Sequence, residues 1–207
     1  LATSGPEHDT TRSTEPVDRF LFDPAESANR RRTVMSEAEI GRSLRRMAHE
    51  IIERCGDPDS LSLVGICTRG APLAERLADT IEAIEGIRPR VGQLDITMHR
   101  DDLAIRASLR EILPSRIDFS LDGLNVILVD DVIYTGRSVR AALNALGSYG
   151  RPDRVQLAVL IDRGHRELPI RPDYVGKNLP TRRADHVRVL IAETDETDRV
   201  TISPDDR

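Results

Sequence analysis

The residue types best suited to chemistry lie together in Val126-Ile127-Leu128-Val129-Asp130-Asp131-Val132-Ile133-Tyr134-Thr135-Gly136-Arg137-Ser138. Four apolar residues run into two adjacent carboxylates, as a buried parallel strand does when it ends in acids. The carboxyl edge of an open α/β sheet is where ligands bind. Thr135-Gly136-Arg137-Ser138 then reads as a turn opening a helix. Backbone N–H groups and two hydroxyls converge there, and a helix N-terminus of this kind suits a phosphate monoester. Paired carboxylates do different work: they accept hydrogen bonds from vicinal hydroxyls or hold a hydrated Mg²⁺. A terminal-phosphate site beside a diol site describes a ribose 5-phosphate. Nucleotide hydrolases also end an apolar strand in acids, but they need a phosphate loop with its lysine. The sole lysine here, Lys177, sits in Val175-Gly176-Lys177-Asn178, outside any such loop. The Asp-x-Asp of haloacid-dehalogenase-type phosphatases is also missing.

A second piece, Thr68-Arg69-Gly70, follows the apolar run Leu61 to Cys67. As a lone tripeptide it is an ordinary turn. At a strand end ahead of a helix, its backbone and guanidinium can meet a pyrophosphate, and arginine grips phosphate oxygens in a planar, two-point fashion.

These residues need a scaffold. Ser36-Glu37-Ala38-Glu39 is a capping box, and Ile40, Leu44, Met47 and Ile51 recur behind it at helical spacing, which predicts a helix over 36–54. Arg42, Arg45, Arg46 and His49 fall on its opposite face, where solvation alone would explain them. Strands are expected at 61–67, 90–97, 125–129, 154–161 and 187–191, with a short one at 200–202. Helices are expected at 71–84, with Pro72 in its first turn, and at 138–146. This alternation argues for an α/β fold with a doubly wound, mostly parallel sheet flanked by helices. Residues 98–123 lack a clean period and read as a functional flap or loop. Residues 1–34 read as a disordered arm, 35–193 as the folded domain and 194–207 as an acidic tail.

Composition narrows the function classes. The 207 residues suit one domain with tails, and the net charge of −5 excludes a protein that is basic overall. Three Phe, three Tyr and no Trp leave too few rings for a base-stacking platform. Of 30 basic side chains one is lysine, leaving 29 arginines, so most lysine chemistry is excluded. Cys55 and Cys67 are too few and too far apart for a metal knuckle or a disulfide scaffold, which points to reduced thiols. No charged-then-apolar leader opens the chain and the longest apolar run is Leu157 to Ile161, so the expectation is a cytoplasmic protein that does not engage a membrane.

The thirteen-residue string resembles the phosphoribosyl-diphosphate (PRPP) motif of type I phosphoribosyltransferases. Leu94 to Leu103, Asp162 to Arg171 and Tyr174 to Asn178 closely resemble the bifunctional PyrR family, whose members regulate pyrimidine operons by binding mRNA and also have uracil phosphoribosyltransferase activity. The similarity runs from about Ile40 to Val189, and it departs from the family at His99, where a tyrosine is usual. It implies the type I fold, with a small hood and a flexible loop, acting on uracil and PRPP with Mg²⁺ to give UMP and diphosphate.

Carried over by that resemblance, Asp130 and Asp131 meet the ribose hydroxyls, while Val132, Ile133, Tyr134, Thr135, Gly136, Arg137 and Ser138 complete the PRPP and UMP pocket around the 5-phosphate. Thr68 and Arg69 take the diphosphate, and Arg100 closes over it. Arg163 and the backbone near Val187 are the expected uracil contacts; a surface ion-pair cluster is the other reading of Arg163, Arg166 and Glu167. Arg46, His49, Arg171 and Lys177 match RNA-contacting positions, and local excesses support a basic face: seven Arg against four Glu in 30–54, nine basic against five acidic in 151–188. No metal is expected to be held by protein side chains alone. The expected partners are PRPP, uracil, UMP or UTP and the mRNA leader of a pyrimidine operon, with a homodimer or higher homo-oligomer. The alternative is a nucleotide-sensing RNA-binding regulator with little or no catalysis; a purine or orotate transferase on the same fold is a third reading, which the hood residues oppose.

Overall fold

The computed structural model describes residues 31–97 and 114–204. Its elements are β1 (Arg32–Ser36), α1 (Glu37–Cys55), a 3₁₀ turn (Pro58–Ser60), β2 (Leu61–Ile66), α2 (Gly70–Glu85), β3 (Arg90–Leu94), β4 (Asn125–Ile133), α3 (Arg137–Leu146), β5 (Arg154–Asp162), β6 (Tyr174–Asn178), β7 (His186–Leu190), α4 (Ala192–Asp195) and β8 (Arg199–Ser203). The capping box forms: the Glu39 carboxylate accepts from both the Ser36 N–H and its hydroxyl at 2.8 Å.

Five strands pair in the order β3-β2-β4-β5-β6, all parallel. Side-chain alternation divides the core in two. Leu61, Leu63, Ile127, Val129, Ala158 and Leu160 face α1 and α2, joining Ile40, Leu44, Met47, Leu73 and Leu77. Val64, Ile66, Val126, Leu128, Leu157 and Val159 face the other way, onto Val139, Ala142 and Leu146 of α3. A strand covered on both faces reads as a continuous apolar run, which is why β4 and β5 stand out in the sequence. A second, antiparallel sheet, β1-β8-β7, joins the two ends of the described chain, and its Met35, Val189 and Val200 share the α1 core. Among the described residues, no helix is long and apolar enough to cross a membrane.

Several boundaries differ from expectation. β1 starts at Arg32, inside the segment read as an arm, held by pairing to β8 at the other end of the described chain; β8 itself falls where the short strand at 200–202 was expected, within the segment read as a tail. The rest of the arm lies outside the described residues. β4 runs four residues past Val129, because its pairing with β5 continues to Ile133 and Asp162. β3 stops at Leu94, three residues early. β6 forms within the Pro-, Gly- and Arg-rich stretch that gave no strand signal. Of the 98–123 stretch, the described part is packed: Arg116 bridges Gln93, and Ile117 and Leu121 are buried.

Candidate active site

In this strand order β2 connects outward through α2 to β3, while its neighbour β4 connects the opposite way through α3 to β5. The carboxyl ends of β2 and β4 therefore flank the point where the winding reverses, and such a crevice receives ligands. The loop Cys67–Arg69 follows β2, and Tyr134–Gly136 follows β4.

Asp130 and Asp131 lie within β4, three and two residues before its end at Ile133. Asp130 is buried, and its Oδ1 accepts the Asp131 N–H at 2.9 Å. The Asp131 Oδ1 accepts the Val132 N–H at 2.7 Å. Burial pushes the Asp131 carboxyl above its ordinary range, against the opposing pull of the Val132 N–H, the Arg69 charge and the hydrogen bond with Asp130. A cation or hydroxyl donors arriving at this pair would relieve the cost of holding two carboxylates together.

Past the strand, Gly136 takes φ 92°, a left-handed conformation open to glycine, and caps α3. The turn is braced from outside. The Thr135 carbonyl accepts the Glu167 and Leu168 N–H groups at 3.0 and 3.2 Å, and Arg137 pairs with Glu167 at 3.0 Å. Arg166 supplies the deeper brace: Nη1 donates to the Tyr134 carbonyl (2.9 Å) and the Gly164 carbonyl (3.1 Å), Nε to the Ile170 carbonyl (3.1 Å) and Nη2 to Asp162 (2.6 Å). The N–H groups of 136–138 at the start of α3 thus belong to a turn fixed at both ends, ready for an anion.

Across the crevice, the Cys67–Thr68 peptide is cis and Arg69 precedes the first turn of α2. Gly70 has no room for a side chain: a Cβ there would collide with the Val129 carbonyl oxygen and lie 3.3 Å from the Asp130 Cα. This contact brings the two loops together. Arg69 is close enough to Asp131 for their charges to interact, but its fork is occupied, with Nε and Nη2 donating to Asp195 at 3.0 and 2.8 Å. Thr68 is exposed.

Arg163 is 7 % exposed, so the surface-cluster reading fails for it. Its guanidinium lies 4.3 Å over the Tyr134 ring and donates to the Thr181 hydroxyl (3.2 Å) and the Arg182 carbonyl (3.0 Å). It joins the end of β4 to the 181–183 turn. Val187 sits in β7, the edge strand of the small sheet, which also contacts β4; an edge backbone can read the rim of a planar base. Arg46 and Lys177 are partly occupied: Arg46 donates to the Val175 and Gly176 carbonyls (2.7 and 2.8 Å), Lys177 to the Val34 carbonyl (2.8 Å). They line a cavity of about 310 Å³ with Arg42, Ser43 and Glu39. His49 and Arg171 are exposed. Arg100, with His99, lies outside the described residues.

Among the described residues no group of three or more His, Cys, Asp or Glu is arranged to hold a metal. The donor set at β4 is two carboxylates, which fits a hard cation that arrives on a diphosphate and takes most of its oxygens from it.

The phosphoribosyl transferase domain family matches residues 34–194. A bifunctional protein PyrR from Deinococcus radiodurans is 55% identical over 175 residues, covering 84% of this chain and 96% of that one. Another from Halalkalibacterium halodurans is 54% identical, covering 83% and 96%. The chain belongs to the bifunctional PyrR family. Solved structures agree on the fold: a hypoxanthine phosphoribosyltransferase from Staphylococcus aureus has a TM-score of 0.62 at 17% identity (84% of this chain, 92% of that one), and one from Trypanosoma cruzi 0.65 at 17% (84% and 90%). This PyrR-family chain therefore has the type I phosphoribosyltransferase architecture.

Sequence reasoning missed the brace at Arg166 and the partners of Arg69. For Arg69 the available signal was Asp195, one of several acids spaced between two expected strands, and reading 194–207 as a tail discarded it.

Proposed function

We propose that the protein is a uracil phosphoribosyltransferase that also binds pyrimidine-operon mRNA under the control of uridine nucleotides. The observation that carries the catalytic part is the pairing of the β4 carboxylates with the braced 134–138 turn, facing the Cys67–Gly70 loop across the switch point. The N1–C1 bond forms, the C1–O bond to diphosphate breaks with its electron pair going to the diphosphate oxygen, and the N1 proton passes to the departing diphosphate or to water. Bond breaking runs ahead, so positive charge develops on the ribose. Asp130 and Asp131 accept the ribose hydroxyls and stabilise that charge; the 135–138 amides and the Thr135 and Ser138 hydroxyls hold the 5-phosphate; the 67–70 loop receives the departing diphosphate. Mg²⁺, carried on the diphosphate, would neutralise the leaving group beside Asp130 and Asp131. Arg163 backs Tyr134 in the base-side wall, β7 near Val187 reads the uracil edge, and Arg100 closes over the diphosphate and excludes water.

The RNA reading draws on the exposed outer face of α1, with Arg42, Arg45 and His49, and on Arg171, with Arg46 and Lys177 fixing the corner beneath. A cytoplasmic homodimer would double this surface. The test combines two readouts. Uracil, PRPP and Mg²⁺ should yield UMP and diphosphate, and Asp130→Asn or Asp131→Asn should lower kcat/KM by about 10²-fold or more with the melting temperature kept. A leader RNA should bind more tightly with UMP, and Arg171→Ala should weaken it. Absence of UMP formation by the wild type refutes the enzyme; absence of RNA binding at low salt refutes the regulator.

A further inference from the structure

The turn between β7 and β8, Ile191-Ala192-Glu193-Thr194-Asp195-Glu196-Thr197-Asp198, is tied to α2 at two places. Arg76 binds both outer acids: its Nε and Nη2 donate to Glu193 at 2.8 and 2.6 Å, and its Nη1 and Nη2 to Asp198 at 2.5 and 2.9 Å. Asp198 also accepts the Ala192 N–H at 2.7 Å, closing the turn on itself. Between these anchors Asp195 reaches the loop after β2. Its Oδ2 accepts the Ile191 N–H at 3.1 Å, and both of its oxygens take the Arg69 fork. The Asp195 side chain is only 11% exposed and Arg69 28%. A carboxylate held two-point by arginine occupies it as a phosphate would.

Arg69 is the one long side chain in Cys67-Thr68-Arg69-Gly70, and the rest of that loop is fixed by the contact of Gly70 with β4. We propose that Asp195 is a positioning residue for diphosphate: it holds the Arg69 guanidinium as a strut, so that the loop after β2 meets the diphosphate with the backbone N–H groups of 68–70, and the Arg76 clamp sets where Asp195 stands. The Arg69 charge stays close enough to attract the anion while its fork is engaged elsewhere. This rests on the phosphoribosyl-transfer reading and assigns the second half of its diphosphate site to a turn beyond the β4 motif.

The test is calorimetric binding of PRPP and of inorganic diphosphate, each with Mg²⁺, alongside steady-state kinetics. Asp195→Asn should weaken both ligands about tenfold, with kcat changed less than about twofold and the KM for uracil unmoved. Arg69→Gln removes the same contact from the loop side together with the charge, and should weaken both ligands at least as much; the double variant should be no worse than that single. Asp195→Glu, which keeps the charge, should recover part of the loss. Tighter PRPP binding in Asp195→Asn would make the carboxylate a competitor and overturn the proposal. Additive losses in the double variant would overturn it too, as would a fall in kcat and in both affinities together with the melting temperature. If the wild type binds no PRPP, the transfer reading itself fails; if the wild type binds and Asp195→Asn binds equally, this inference alone fails.

Discussion

Cys67 shows how strongly position governs a side chain beside the crevice. It ends the β2 run, half-buried, and its thiol is pushed up to about 11, first by burial and then by the nearby Asp95 carboxylate, with only the Gln93 hydrogen bond opposing. Thiolate is the nucleophile, so Cys67 should be alkylated by iodoacetamide at pH 8 at least about tenfold more slowly than an unperturbed thiol. Peptide mapping over time checks this; alkylation of Cys67 at the free-thiol rate would contradict it. At the same scale, the grouping of Asp130 to Ser138 at one sheet edge was legible because these residues are consecutive. Arg166 and Asp195 were not, since each works through groups distant in the chain. Arg163 was placed near the base-side wall from sequence, but its bonds to Thr181 and Arg182 emerge only when the 181–183 turn folds over Tyr134.

Among the elements, the long apolar strands and amphipathic helices were readable because burial on two faces or on one stripe leaves a period in the sequence. β1 and β6 left none. Each is five residues long and stabilised by pairing, β1 with β8 and β6 with β5, so partners rather than pattern define them. The continuation of β4 through two aspartates was hidden for the same reason. The β7–β8 turn is likewise held by a partner, Arg76, and this has a pH consequence. Hydrogen bonds from Arg76 hold the Glu193 and Asp198 carboxyls below their ordinary values. Groups with depressed folded-state values contribute stability above the unfolded values of about 4, and that contribution is lost as pH falls through the lower folded ones. Arg76→Ala should therefore destabilise by about 1–3 kcal/mol at pH 7, discounted for the half-exposed Glu193. The gap to wild type should narrow below about pH 4, since protonation removes the same contacts. Denaturant titration across pH measures it; a gap that is constant with pH would mean that Arg76 acts by packing alone.

For the molecule as a whole, one topological feature positions everything: the winding of the sheet reverses between β2 and β4, and the two loops that flank the reversal are the two that the sequence singled out. The type I architecture could be read from the β-α alternation together with the motif, whereas the pairing of β1 with β8 could not, because closure between residues 32–36 and 199–203 has no local signature. The turn between β7 and β8 reaches back to the loop after β2, so the C-terminal end of the described chain bears on the site. The central claim concerns that site, and a crystal of the protein with UMP tests it most directly. The account predicts the 5-phosphate on the N–H groups of 135–138 and the ribose hydroxyls on Asp130 and Asp131. Electron density for UMP elsewhere, with the 135–138 turn making no contact to it, would contradict it.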